Sequence, residues 1–196
     1  MASTINATPT SSGLISSADN SGILALQSGG TTKFTVASTG AYGQLVSGTA
    51  VASTSGTSID FTSIPSWVKR ITVMFQNIST NGSSLVQVQL GSGSVTSSGY
   101  NSSAYTNTTR TSTSSALLID GQGNAAYIRS GMMTISNLGS NIWVCSGSWS
   151  DVTNGNITYF GGGSSALSGA LDRVRITTVN GTDTFDAGTI NIMYEG

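Results

Sequence analysis

Hydrophobic and polar residues alternate in residues 57–76, TSIDFTSIPSWVKRITVMFQ, and this pattern predicts two strands joined by a corner. The apolar positions that share a face are Ile59 and Phe61 in the first strand and Ile71, Val73 and Phe75 in the second. Pro65 has no backbone N–H to donate, so we expect Ile64-Pro65-Ser66 to form a turn. Trp67 would then cover one end of a β core.

The same period of two continues towards the C-terminus and predicts an all-β domain. Further strands are expected at residues 85–90, 116–119, 125–135, 141–150, 156–160, 171–179 and 189–194. The turns expected around them are Asn81-Gly82, Asp120-Gly121, Leu138-Gly139, Asn154-Gly155, Gly161 to Gly163 and Asn180-Gly181. The remaining core sets would be Val86/Val88/Leu90, Ile142/Val144, Val174/Ile176 and Ile190/Ile192, with Trp143 or Trp149 at the ends. No window has a helical period, and we expect an antiparallel β-sandwich of the jelly-roll type.

The N-terminal residues have a different pattern. Residues 1–10 are polar, and residues 11–46 contain short apolar pairs separated by turn signals. Residues 23–27 and 32–36, with Gly29-Gly30 between them, predict a small hairpin, which is marginal in water unless it packs on something. We therefore predict an attachment arm at residues 1–46, a linker or edge strand at 47–56, and the sandwich at 57–196.

Composition narrows the class of function. Only 8% of the residues are charged, against about 25% in typical soluble domains. The net charge is −1 and the seven cations form no basic cluster, so we do not expect nucleic-acid binding. No apolar run reaches the ~20 residues of a membrane span, and the N-terminus has no signal-like pattern. We therefore expect a protein that is synthesised in a cytoplasm and does not insert into a membrane.

Candidate chemistry is sparse. There is no histidine, Glu195 is the sole glutamate, and the aspartates are dispersed, so we expect neither an enzyme nor a cofactor. The single cysteine, Cys145, lies between apolar residues and is interpreted as a small buried thiol rather than a reactive one. Oxygen ligands for a cation are offered by Asp151, Asn154 and Asn156, or by Asp183 and Asp186. The same residues stabilise turns, which is the interpretation we favour, and no metal site is predicted.

Two stretches resemble structural proteins of tailed bacteriophages. SIDFTSIPSWVKRITVMFQNIST, followed by VQVQLG, a Ser/Tyr/Asn-rich segment and GTINIMYEG, is similar to the C-terminal domain of such proteins. SGLISSADNSGILALQSGG resembles the segment that precedes these domains in tail-fibre, head-fibre and capsid-decoration proteins. The resemblance implies a homotrimeric virion component whose arm binds other capsid or tail proteins. The residues expected to attach the arm are Leu14, Ile15, Ile23, Leu24 and Leu26.

Two sets of residues carry more specific hypotheses. The sequence of residues 91–115 predicts a long polar loop. Such a loop either packs on its own domain or binds a host-surface glycan. The candidate ligand-binding residues are Tyr100, Asn101, Tyr105, Asn107 and Arg110. Arg173 and Arg175 alternate with core residues and lie either on a solvated face or at an intersubunit contact with Asp172 or Asp186 of a neighbour. A bacterial adhesin or surface-layer fragment is disfavoured, because no secretion signal precedes the arm.

Overall fold

The strands divide between two units of the chain, residues 1–44 and residues 45–196. A computed structural model describes residues 24–28, 31–36, 45–106, 109–151, 153 and 157–196. In the first unit, β1 (Leu24–Ser28) and β2 (Thr31–Val36) form an antiparallel hairpin. Leu14, Ile15 and Ile23 lie outside the described residues. Leu24 and Leu26 lie in β1, where only the backbone is described.

The second unit is an antiparallel β-sandwich, as predicted. Its strands are β3 (Leu45–Ser47), β4 (Val51–Ala52), β5 (Ser58–Thr62), β6 (Arg70–Thr80), β7 (Val86–Ser92), β8 (Ser94–Val95), β9 (Tyr100–Thr106), β10 (Thr109–Thr113), β11 (Leu117–Leu118), β12 (Arg129–Gly139), β13 (Ile142–Asp151), β14 (Ile157–Ala166), β15 (Arg173–Thr178) and β16 (Phe185–Glu195). Within the described residues, nine strands form one sheet in the order β10-β9-β14-β13-β12-β6-β16-β3, and β4 also pairs with β16. Five strands form the other, β11-β7-β15-β5 with β8 on β7. Residues 47–56 contribute the edge strand β4.

The core lies between the two sheets and is supplied mainly by alternate residues of long strands. Ile71 and Val73 of β6 and Val88 of β7 are completely buried, as the apolar alternation predicts. The predicted sets on β15 and β16 are also buried. The Ile142/Val144 set is wrong, because both residues are more than a third exposed. The larger neighbours Trp143 and Trp149 occupy the core instead, since a strand can direct only alternate residues inward.

The predicted loop at residues 91–115 is also wrong, because β9 and β10 lie there. The inward residues of β9 include small polar ones, which the apolar pattern does not register. Ser102 Oγ accepts a hydrogen bond from Leu118 N at 3.0 Å, and Thr106 Oγ1 accepts one from Gly121 N at 3.0 Å. The main-chain N–H groups of Leu118 and Gly121 thus provide hydrogen bonds to these buried hydroxyls.

Three predicted turns differ from the structure. β14 continues through Gly161 to Gly163, where a Cβ on Gly163 would lie 2.5 Å from the Asn101 carbonyl oxygen of β9. Glycine is therefore required there by close strand packing rather than by a turn. Asn81-Gly82 is not a hairpin turn, because it connects strands of different sheets. The turn predicted at Leu138-Gly139 is formed by Ser140 and Asn141, with φ of 49° and 60°.

A completely buried ion pair joins the two sheets. Arg129 Nε of β12 lies 2.6 Å from Asp120 Oδ2, and neither side chain is exposed to solvent. Asp120 Oδ1 accepts a hydrogen bond from Val86 N of β7 at 3.1 Å. Arg129 also packs over the Tyr127 ring, 5.4 Å from its centroid. Burial raises the pKa of Asp120 to about 6, against the opposing effect of the Arg129 charge.

Replacing Arg129 with methionine should lower the free energy of unfolding at pH 8 by about 3–5 kcal/mol, because the Asp120 charge would lose its partner. The raised pKa means that folded Asp120 takes up a proton as the pH falls through about 6, while unfolded chains remain ionised until lower pH. The loss in Arg129→Met should therefore be smaller at pH 5 than at pH 8. Urea unfolding of the parent chain and of Arg129→Met at pH 5 and pH 8 measures this loss of unfolding free energy.

The matched control is Arg173→Met, which removes a partly exposed ion pair with Asp172. This variant should change the free energy of unfolding by about 0–1 kcal/mol. Equal losses at the two pH values for Arg129→Met would show that Asp120 does not hold an uncompensated charge.

Candidate functional site

Tyr100, a predicted ligand-binding residue, is a structural residue. Its side chain is 4% exposed, and burial raises the pKa of its hydroxyl. The hydroxyl accepts a hydrogen bond from Leu90 N at 2.7 Å and lies 3.1 Å from the Thr96 carbonyl oxygen, to which it can donate. Because Tyr100 belongs to one sheet and Leu90 to the other, this side chain connects the sheets. We therefore remove Tyr100 from the candidate ligand site.

The other predicted residues are on the outward face of the nine-stranded sheet where the structure describes them. Asn101, Tyr105 and Arg110 are exposed, and Tyr105 is the cross-strand partner of Arg110. Asn101 is on the same face, four residues from Tyr105 along β9. Asn107 lies outside the described residues. The structure thus brings Tyr105 and Arg110 together and leaves Asn101 farther along the strand.

Tyr105 stacks on Phe160, an aromatic residue that sequence reasoning did not place at a site. Their ring centroids are 5.8 Å apart and the ring planes differ by 15°. Tyr105 is 38% exposed and Phe160 is 52% exposed. The available signal was the Tyr159-Phe160 pair in a predicted strand: adjacent residues point to opposite faces, so one of the two rings must face outward.

This aromatic pair belongs to one row of cross-strand partners. In order across the sheet, the row contains Arg110, Tyr105, Phe160, Ser148, Met132, Met74 and Asn191. Cross-strand partners share a face, so all these side chains point away from the core. Met132 is 54% exposed. The row therefore presents apolar side chains to solvent on both sides of a serine.

The surface around Ser148 in this row is uncharged and rich in hydroxyl groups, and the charged Arg110 lies at the end of the row. On β13 the outward residues beside Ser148 are Ser146 and Ser150, and all three are exposed. The three hydroxyls make no hydrogen bond with the described part of the chain. Charged residues of β12 and β13, Arg129 and Asp151, are buried on the opposite face. A ligand over the outward residues of β12, β13 and β14 would meet neutral donors and acceptors.

The five-stranded sheet carries a different surface feature, a polar cleft of about 250 Å³ between β7, β15 and the turn that follows β15. Its glutamine amides are used within the fold: Gln87 Nε2 donates to the Thr178 carbonyl oxygen at 3.3 Å, and Gln89 Nε2 donates to that of Ser115 at 3.2 Å. Arg175, at the cleft, makes two hydrogen bonds to Asp60 at 2.7 and 2.8 Å.

Arg173 and Arg175 both have carboxylate partners in their own chain. Arg173 Nε donates to Asp172 Oδ1 at 2.8 Å, and Arg175 binds Asp60. Asp172 was expected to serve as the partner of a neighbouring subunit, but here it is paired beside Arg173. The intersubunit contact of these arginines stays a prediction.

Two of the acidic residues considered for a cation, Asp151 and Asp183, accept hydrogen bonds from main-chain amides, whereas Asp186 lies in β16. Asp151 Oδ1 accepts hydrogen bonds from Thr153 N at 2.8 Å and Ile128 N at 3.3 Å. Asp183 accepts one from Ser84 N at 2.9 Å. Asn154 and Asn156 lie outside the described residues. In the described part of the chain, no group of three or more His, Cys, Asp or Glu residues is placed to hold a metal.

Two further features bear on reactivity and location. Burial raises the pKa of Cys145 to about 12, so its thiol stays protonated at neutral pH. Over the ranges that the structure describes, there is no helix with the length and apolar character needed to cross a membrane.

Fold and surface together define an all-β protein: an antiparallel sandwich preceded by a unit that contains a hairpin. Comparison of the chain with protein-family models, curated proteins and solved structures gave no match. The function is therefore argued from the residues themselves.

Tyrosine substitutions separate the structural role from the surface role. Tyr100→Phe removes the hydroxyl that bonds Leu90 and should lower the free energy of unfolding by about 1–3 kcal/mol. Tyr105→Phe removes an exposed hydroxyl and should change it by less than about 0.5 kcal/mol. Urea denaturation of both variants beside the parent chain measures the difference. Equal stabilities of the two variants would contradict the role assigned to Tyr100.

Proposed function

We propose that the chain is a non-enzymatic structural component of a bacteriophage virion. In this proposal it forms a homotrimeric fibre or capsid-decoration protein, docked to the particle by its N-terminal arm and displaying the sandwich outward. The observation that carries the proposal is the division of the chain into a small hairpin-containing unit and a larger β-sandwich. The resemblance of both stretches to phage structural proteins supports it.

The strand edges are consistent with controlled assembly. Within the described residues, β10 is the outermost strand at one end of the nine-stranded sheet, and β5 is outermost in the other sheet. β10 carries the exposed Arg110, and β5 carries Asp60 paired with Arg175. Charged side chains at an edge oppose uncontrolled addition of strands from other chains. Contacts in the proposed trimer would then use side chains, and a closed trimer would add kinetic stability.

A second candidate function is attachment of the particle to a host-surface glycan. The observation that favours it is the exposed stack of Tyr105 on Phe160, within an otherwise hydroxyl-rich face. Aromatic faces with neighbouring neutral polar groups are typical of sites that bind sugars. In this proposal the same virion protein would use its arm for docking and its outward sheet face for the host.

Deletion of residues 1–44 tests the docking proposal. The remaining chain keeps every strand of the sandwich, so it should still unfold cooperatively in urea, but it should no longer join particles. Complementation of a particle lacking the protein, followed by analysis of purified particles, measures incorporation. The control is full-length Leu138→Ala, which alters only an exposed side chain.

Two results would contradict the proposal. Incorporation of the truncated chain at the parent level would show that the arm does not dock the protein. A monomeric mass for the full-length chain in sedimentation equilibrium would exclude the trimer.

A further inference from the structure

The outward face of the nine-stranded sheet contains a slot centred on Ser148. Ser148 of β13 lies between its cross-strand partners Phe160 of β14 and Met132 of β12. Neighbouring strands are about 4.8 Å apart, so the two large side chains rise about 10 Å from each other with a small residue between them. Both are more than half exposed. We call this feature, with Phe160 and Met132 as walls and Ser148 as floor, the serine slot.

One wall of the serine slot is an aromatic ring held in a fixed orientation. Tyr105 stacks on Phe160 from the β9 side. The slot lies on the other side, towards β13, so the second face of the Phe160 ring points into it. An aromatic face carries partial negative charge and attracts weakly positive C–H groups.

The floor of the slot supplies hydrogen-bonding groups in a regular line. Ser146, Ser148 and Ser150 alternate along β13, and side chains on one face of a strand repeat about every 6.8 Å. No described residue uses their hydroxyls, each of which can both donate and accept. Thr134 and Gly162, the partners of Ser146, extend the same small and neutral surface to either side.

These groups match a neutral sugar better than a protein surface. A pyranose ring has a face of C–H groups for Phe160 and hydroxyls around its edge for the serines. The outward residues of β12, β13 and β14 carry no charge, so the slot offers nothing to compensate an anionic or cationic ligand. A second copy of this apolar and hydroxyl mixture would cover the serines and leave part of their hydrogen bonding unsatisfied.

We propose that the serine slot binds a pyranose residue of a neutral glycan, with the ring against Phe160 and its hydroxyls on the serines of β13. This inference rests on the second candidate function, attachment to a glycan, and is independent of docking by the arm. It places the site outside the segment of residues 91–115, apart from the support that Tyr105 gives to Phe160.

The test is native affinity electrophoresis of the full-length protein through gels containing dextran, mannan, β-glucan or galactan, with polygalacturonate as the anionic comparison. The parent chain should be retarded by at least one neutral polysaccharide. Phe160→Ala should weaken that retardation about tenfold, the effect of losing roughly one aromatic contact. Ser148→Leu, which keeps both walls but fills the slot, should weaken it comparably. Leu138→Ala, an exposed apolar residue elsewhere on the sheet, should behave as the parent.

Several results would overturn the proposal: retardation by none of the neutral polysaccharides, retardation by polygalacturonate alone, or unchanged binding by Phe160→Ala or Ser148→Leu. Dissociation of the parent oligomer by Ser148→Leu, seen by sedimentation, would identify the face as a contact between copies and also overturn it. Circular dichroism confirms that each variant is folded. Incorporation of Phe160→Ala into particles at the parent level would show that any loss of binding is separate from docking.

Discussion

Cross-strand pairing is the constraint on which the nine-stranded sheet depends. Partners in neighbouring strands must point to the same face, so the inward residues of one strand determine those of the next. Ile71 of β6 is buried, and its partner Ile135 of β12 is buried with it. Ile135 in turn directs Cys145 of β13 towards the core and the serines at alternate positions outward. A slip of one residue would bring the exposed serines and Phe160 into the core.

Polar contacts between the sheets determine how they face each other, which apolar packing alone specifies less strictly. The Tyr100 hydroxyl accepts a hydrogen bond from the main chain of β7, and Asp120 accepts one from Val86 N and forms an ion pair with Arg129. Each contact requires one particular alignment, because a buried polar group without its partner is costly. The inner faces are thereby held in place, and the outer face remains available as a surface.

The strands whose core residues are aliphatic could be predicted from the sequence, whereas those with small polar core residues could not. The alternation at Ile71 and Val73 identifies β6, but β9 turns Ser102 and Thr106 inward, where main-chain donors satisfy them. On β13 the apolar residues Ile142 and Val144 lie on one face and the larger Trp143 on the other, so the apolar pattern fits either orientation. The larger side chain, Trp143, is the one that is buried. The serine slot could not be predicted from the sequence. Its three residues belong to separate strands, and only the pairing register of those strands places them side by side.

The shape of the serine slot links the two proposed functions. The serine slot is open to solvent, so it would bury only part of a sugar and each copy would bind weakly. The surface also lacks the net charge that speeds association with a charged partner. Linked copies overcome the weak affinity of a single site, because after the first contact the remaining sites meet the same glycan surface at high effective concentration. A homotrimer repeated over a particle would supply such copies, so weak sugar binding by a single sandwich is compatible with firm attachment of a particle.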